Sequence, residues 1–93
     1  MERTELNEWL TEIHSIISPI TEEIDRLESG IENYKKRVDF LDGLPPISKD
    51  QVLRNEYVNK GNEWEKRLDM LLQERTRFAK VGDEINRALY TIT

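Results

Sequence analysis

His14 is the only histidine of the 93-residue chain, and there is no cysteine. Those two counts remove thiolate nucleophiles, disulfides, cysteine zinc sites and any multi-histidine metal site within one chain. A catalytic histidine needs a nucleophile or substrate pocket, and a third group to orient it. Glu12 and Trp9 are near His14 in sequence, yet no such constellation surrounds it. It reads as a boundary histidine, or at most as a pH-sensitive contact, since its ordinary pKa is about 6.5.

Carboxylates are the other groups able to do chemistry. Glu5, Glu8, Glu12, Glu22, Glu23, Asp25, Glu28 and Glu32 crowd the first third of the chain. A di-iron bundle would need inward glutamates and Glu-x-x-His on facing helices. That motif is missing, as are an EF-hand loop and a glycine-rich phosphate loop. No cofactor or metal is called for, and the chain does not read as an enzyme. The acids form a solvated face, with Glu5, Glu8, Glu12, Glu22, Asp25 and Glu32 as a possible docking surface for a basic partner. Lys35, Lys36 and Arg37 are the one basic run in a chain of net charge −5. Direct nucleic-acid binding is not expected from so little positive charge.

The elements that carry these residues follow from the apolar spacing. Leu10, Ile17, Ile24, Ile31 and Val38 recur every seven residues, and Leu6, Ile13, Ile20, Leu27, Tyr34 and Leu41 interleave with them. Named a and d, they make a heptad seam, the pattern of a helix that packs along a partner helix. Trp9 and Ile16 fall at g and widen the stripe, as in a bundle helix with more than one neighbour. The second half repeats the pattern with a large apolar d set (Tyr57, Trp64, Leu71, Phe78, Ile85, Ile92). Its a set is irregular: Gly61, Leu68, Arg75, Gly82, Leu89.

Between the halves, Gly43 and Pro45 predict a helix end, with Gly43 in a left-handed conformation. Ser48 with Gln51 predicts a capping box for the next helix. One domain over 1–93 is expected: a helix over about 4–42, a loop over about 43–48 and a helix over about 49–91. Pro19 either kinks the first helix or breaks it, with Ser18 capping a new start. The fold class is all-α, an antiparallel helical hairpin with coiled-coil heptads that completes a helical bundle by association.

Folding one arm on the other pairs residues whose numbers sum to about 93. That register sets Trp64 near Gly30, Tyr34 near Gly61 and Trp9 near Gly82, each a ring opposite a glycine. It sets Arg75 opposite Ser18 and Glu22. Residues 1–42 hold eleven acids and five bases, whereas residues 51–93 hold seven acids and eight bases. Arms of unlike charge favour pairing with each other. Two helices without a disulfide or metal make a thin core, so association is the route left to stability.

The layout resembles that of the WXG100 secreted hairpins, but their loop Trp-x-Gly is replaced here by Gly43-Leu44-Pro45-Pro46-Ile47-Ser48. It is also similar to type III secretion needle subunits, with a longer heptad arm.

The sequence thus points to a non-enzymatic assembly or adaptor module. It would act through protein–protein contacts, as a homo-oligomer or as a subunit of a helical complex. Trp9, Ile16, Trp64, Arg75, Phe78 and Leu89 are the expected interface residues, and the apolar tip Leu44–Ile47 is a further docking candidate. Two other readings remain: a small acidic inhibitor in the basic nucleic-acid groove of a target, and a secreted or filament-forming hairpin. No stretch reaches eighteen apolar residues, so no membrane span is expected. The first residues lack a signal's apolar region, which points to the cytoplasm, with signal-independent secretion left open.

Overall fold

The computed structural model describes residues 1–92; Thr93, the last residue of the expected domain, lies outside them. Helix α1 spans Arg3–Asp42, a 3-10 turn spans Pro46–Ser48, and helix α2 spans Gln51–Thr91. The described residues contain no strand. The fold is an all-α hairpin whose helices run antiparallel.

α1 passes through Pro19 without interruption, so a separate helix ending near residue 17 does not form. Proline supplies no N–H to the carbonyl four residues earlier. Pro19 is exposed, so that loss falls on the solvent side of the helix, while Leu10, Ile13 and Ile17 keep the seam intact.

The loop departs from the sequence expectation at both ends. No glycine has a positive φ, so Gly43 does not make a left-handed cap. Its N–H is instead shared between the carbonyls of Asp39 and Phe40, at 3.1 and 3.2 Å, and Leu44 N–H donates to Leu41 O at 3.2 Å. Tightening of the last turn thus satisfies the carbonyls that a left-handed residue would otherwise serve. Ser48 does not cap α2: it lies in the 3-10 turn, its N–H donating to Pro45 O at 2.9 Å, and α2 begins only at Gln51. Lys49 is extended (φ −70°, ψ 131°), and Asp50 becomes the cap. Its Oδ1 accepts from Leu53 N–H at 3.0 Å, and its carbonyl accepts from Arg54 N–H at 3.0 Å. The Pro45-Pro46 pair delays the helix start by two residues relative to a Ser48 cap.

The chain divides into two compact units, Ile24–Met70 and Met1–Glu23 with the segment from Leu71 onward. In the second of these, the terminal unit, Leu6, Ile13 and Ile85 form the buried core. Leu10, Ile17, Phe78, Val81, Ala88 and Leu89 pack around it. Gly82 is buried, and a Cβ there would meet Ile13 Cγ2 at 3.6 Å and Leu10 Cδ1 at 3.8 Å. The expected pairing of Gly82 with Trp9 is therefore not made. An a-position glycine faces the opposing a and d residues, whereas an indole at g lies on the flank of the seam.

In the loop unit, Ile24, Leu27 and Ile31 are buried. The other two ring–glycine pairs form here. A Cβ on Gly30 would fall inside the Trp64 ring, overlapping Cζ3 and Cε3, while a Cβ on Gly61 would sit 3.9 Å from Tyr34 Cβ. Near the loop, the Arg54 guanidinium donates to both carboxylate oxygens of Asp42, at 2.6 and 3.4 Å. That hydrogen bond from Arg54 holds the Asp42 carboxyl below its ordinary range and raises the guanidinium in turn.

Two predictions follow from this packing. Gly30→Ala should destabilise the protein by about 1–2 kcal/mol, because overpacking outweighs the gain in helix propensity. Gly61→Ala, which meets only ordinary contact, should stabilise it by up to about 1 kcal/mol; urea denaturation of both variants tests the contrast. Second, a carboxyl whose folded pKa is depressed adds stability above its unfolded pKa, lost as pH falls through the folded value. For Asp42 that window lies below the ordinary 3.8. Arg54→Gln should return the Asp42 carboxyl toward that value, and a carbon-detected NMR titration would read the change.

Candidate protein-interaction surfaces

The terminal unit presents one outward apolar feature on α1. Trp9 and Ile16, one heptad apart, are each 40% exposed beside a core in which Leu6 and Ile13 are 5% exposed. A g position borders the seam, so these side chains lean on the core with one edge and leave the other to solvent. Glu5, Glu8 and Glu12 are exposed on the same segment; Glu5 and Glu12, four residues before and three after Trp9, neighbour it on the helix surface as an acidic ridge. Ile92 is 39% exposed, and its carbonyl accepts a hydrogen bond from Arg3 Nη1 at 3.5 Å. Ile85, on α2 in the same unit, is buried in the core and adds nothing to this exposed apolar surface.

Phe78 and Leu89 pack partly buried against that core, and the Arg77 guanidinium lies 5.1 Å from the Phe78 ring centre. Arg75 is half-buried. Among the described residues no ion pair joins Arg75 to Glu22, which is exposed. An open groove on α2 is lined by Leu72, Gln73, Thr76, Arg77 and Lys80.

The loop unit uses its aromatics internally. Trp64 meets Tyr34 edge-on, with ring centres 5.2 Å apart and planes at 79°. Tyr34 and Tyr57 lie 5.6 Å apart. The Arg37 guanidinium sits over both tyrosines, 5.6 and 5.4 Å from their ring centres. Such cation–π contacts contribute about 0.5–1 kcal/mol where solvent is near. Lys35 pairs with Glu65 at 3.4 Å and Lys36 with Glu32 at 3.4 Å. Asp25 is exposed.

A groove of about 500 Å³ opens beside this stack, lined by Asn33, Lys36, Arg37, Phe40, Leu41, Leu53 and Tyr57. Phe40 is 69% exposed. The sequence pattern passed over it, although a large aromatic at outward position c is itself a signal. A smaller pocket of about 210 Å³ is walled by Tyr34, Tyr57 and Gly61 and rimmed by Lys35 and Glu65. At the tip, Ile47 and Val52 are exposed, and Leu44 is half-buried.

His14 is exposed. Among the described residues, no group of three or more His, Cys, Asp or Glu side chains could hold a metal ion. Among the described residues, no helix is long and apolar enough to cross a membrane. What the molecule offers chemically is a set of apolar and charged surfaces on helices.

No family model and no solved structure matches the chain. It is similar to the chromosome partition protein Smc of Methanococcus voltae, at 33% identity over 84 residues. The likeness covers 89% of this chain, which spans about 6% of that protein's length. It therefore takes in most of both heptad-bearing helices.

Proposed function

We propose that the chain is a non-enzymatic helical protein-interaction module, working as a homo-oligomer or as a subunit of a helical complex. The exposure of Trp9 and Ile16, 40% each, carries this reading. A tryptophan and an isoleucine one heptad apart continue the seam outward, where an additional helix would cover them. Trp is also among the residues most often found at the energetic centre of protein interfaces.

The accessible area supports the same conclusion. The chain exposes 7041 Å², roughly 1,400 Å² more than mass scaling gives for a folded monomer of 11.1 kDa. A specific interface of standard size buries about 800 Å² on each partner. The likeness to a segment of an Smc protein adds support for the helical class and for contacts between proteins; chromosome partition itself belongs to that relative's name. The charged flanks would set register, with half-buried Arg75 excluding partners that cannot accommodate a cation.

Anything that binds the folded state and not the unfolded one raises the melting temperature with concentration. Circular dichroism at two concentrations a hundredfold apart should therefore show the midpoint rising. The double variant Trp9→Asp, Ile16→Asp should lose that dependence while retaining helix content at low temperature. A wild-type chain that is a folded monomer by light scattering, with a midpoint independent of concentration, overturns self-association.

A further inference from the structure

The groove of Lys36, Arg37, Phe40, Leu53 and Tyr57 has a character of its own. No carboxylate lines it, although the chain carries a net charge of −5. Arg37 is held over the faces of Tyr34 and Tyr57, and no ion pair neutralises it among the described residues. Lys36 is held by Glu32 at 3.4 Å, both side chains about 70% exposed, a pairing weak enough to exchange for another acid. Phe40, 69% exposed, supplies apolar surface beside the two cations.

The terminal unit carries the opposite surface. Trp9 and Ile16 are half-open, and Glu5, Glu8 and Glu12 lie exposed on the same helical segment. One surface is cationic with an exposed phenylalanine; the other is anionic with an exposed tryptophan. We infer that the groove receives the acidic Trp9 ridge of a second copy of this chain. Each copy carries both surfaces, so the chain can associate with itself through this one contact.

Charge supplies the orientation and the aromatics supply the burial. Opposite charges across an interface steer encounter and reject the pairing of ridge with ridge. Packing Trp9 against Phe40 and Tyr57 would cover the three aromatic surfaces together, an arrangement typical of interface centres.

This inference rests on the association module proposed above and names its partner. Sedimentation equilibrium of the full chain should give a reversible dimer of twice the 11.1 kDa chain mass, weakened by added salt. Phe40→Ala and Trp9→Ala should each raise the dissociation constant at least tenfold with unchanged helix content. Ile47→Ala, at a site 96% exposed outside both surfaces, should leave it unaltered. The charge-reversed pair Lys36→Glu, Arg37→Glu and the pair Glu5→Lys, Glu12→Lys should each abolish dimerisation alone. Mixed together they should restore it, because every ridge then meets a groove of opposite charge. Should a charge variant fail to fold, the Phe40→Ala result still decides. A dimer indifferent to Phe40→Ala, or charge variants that do not rescue one another, overturns the ridge-in-groove contact and leaves association standing. A monomer at every concentration overturns the contact and self-association together.

Discussion

An apolar seam must be covered, and a chain of two helices can cover each seam from one side only. That constraint governs the rest of this molecule. Leu6 and Ile13 are sealed against α2, whereas Trp9 and Ile16, on the flank of the same stripe, remain 40% exposed. A third or fourth helix would normally shield such flanking residues. Since no cysteine is present to cross-link the arms, the fold relies on close packing along the seam and on whatever covers its edges.

Close packing explains the glycines. Glycine within a helix is less favourable than alanine by about 1 kcal/mol, and three of the four glycines lie inside α1 or α2. At Gly30 the missing Cβ is the space occupied by the Trp64 ring. At Gly82 the backbone is buried against Leu10 and Ile13, though a methyl would fit at ordinary distance. The first position exchanges helix propensity for burial of an indole. The second places backbone against the core without needing glycine on steric grounds. The difference has consequences for design: only at Gly30 does shape complementarity depend on the absence of a side chain.

How far this was legible in the sequence depended on the range of the interaction. The step of three and four residues yields the helices, and the short loop between them yields their antiparallel pairing and a register good enough to match Trp64 with Gly30 and Tyr34 with Gly61. These are long, repeated signals, and errors at one residue average out. Helix ends are short signals with several physical solutions. Gly43 can terminate a helix by left-handed geometry or simply lie in a tightened last turn, and the second occurs. Ser48 and Asp50 are both competent caps; the two prolines before them decide for Asp50. The Arg37–Tyr34–Tyr57 stack required knowing that residues from both helices converge, which single-residue chemistry does not disclose. Phe40 escaped because the seam pattern directs attention inward, and its interest lies in facing outward.

Electrostatics then divides the labour between holding the fold and choosing contacts. The ion pairs of Lys35, Lys36 and Arg87 are exposed, and such pairs contribute little net stability, about 0–1 kcal/mol each. Burial in the seam has to supply most of the energy. The charges are better placed to discriminate: acids gather on the first arm, while the second arm is slightly basic. Within one chain that contrast favours the antiparallel hairpin over pairing of like arms. Between chains a second contrast, between the acids beside Trp9 and the cations Lys36 and Arg37 farther along the same arm, penalises acidic ridge against acidic ridge and favours acidic ridge against cationic groove. A heptad protein of marginal core can thus gain specificity from its surface without burying a single charged side chain, and among the described residues none is buried.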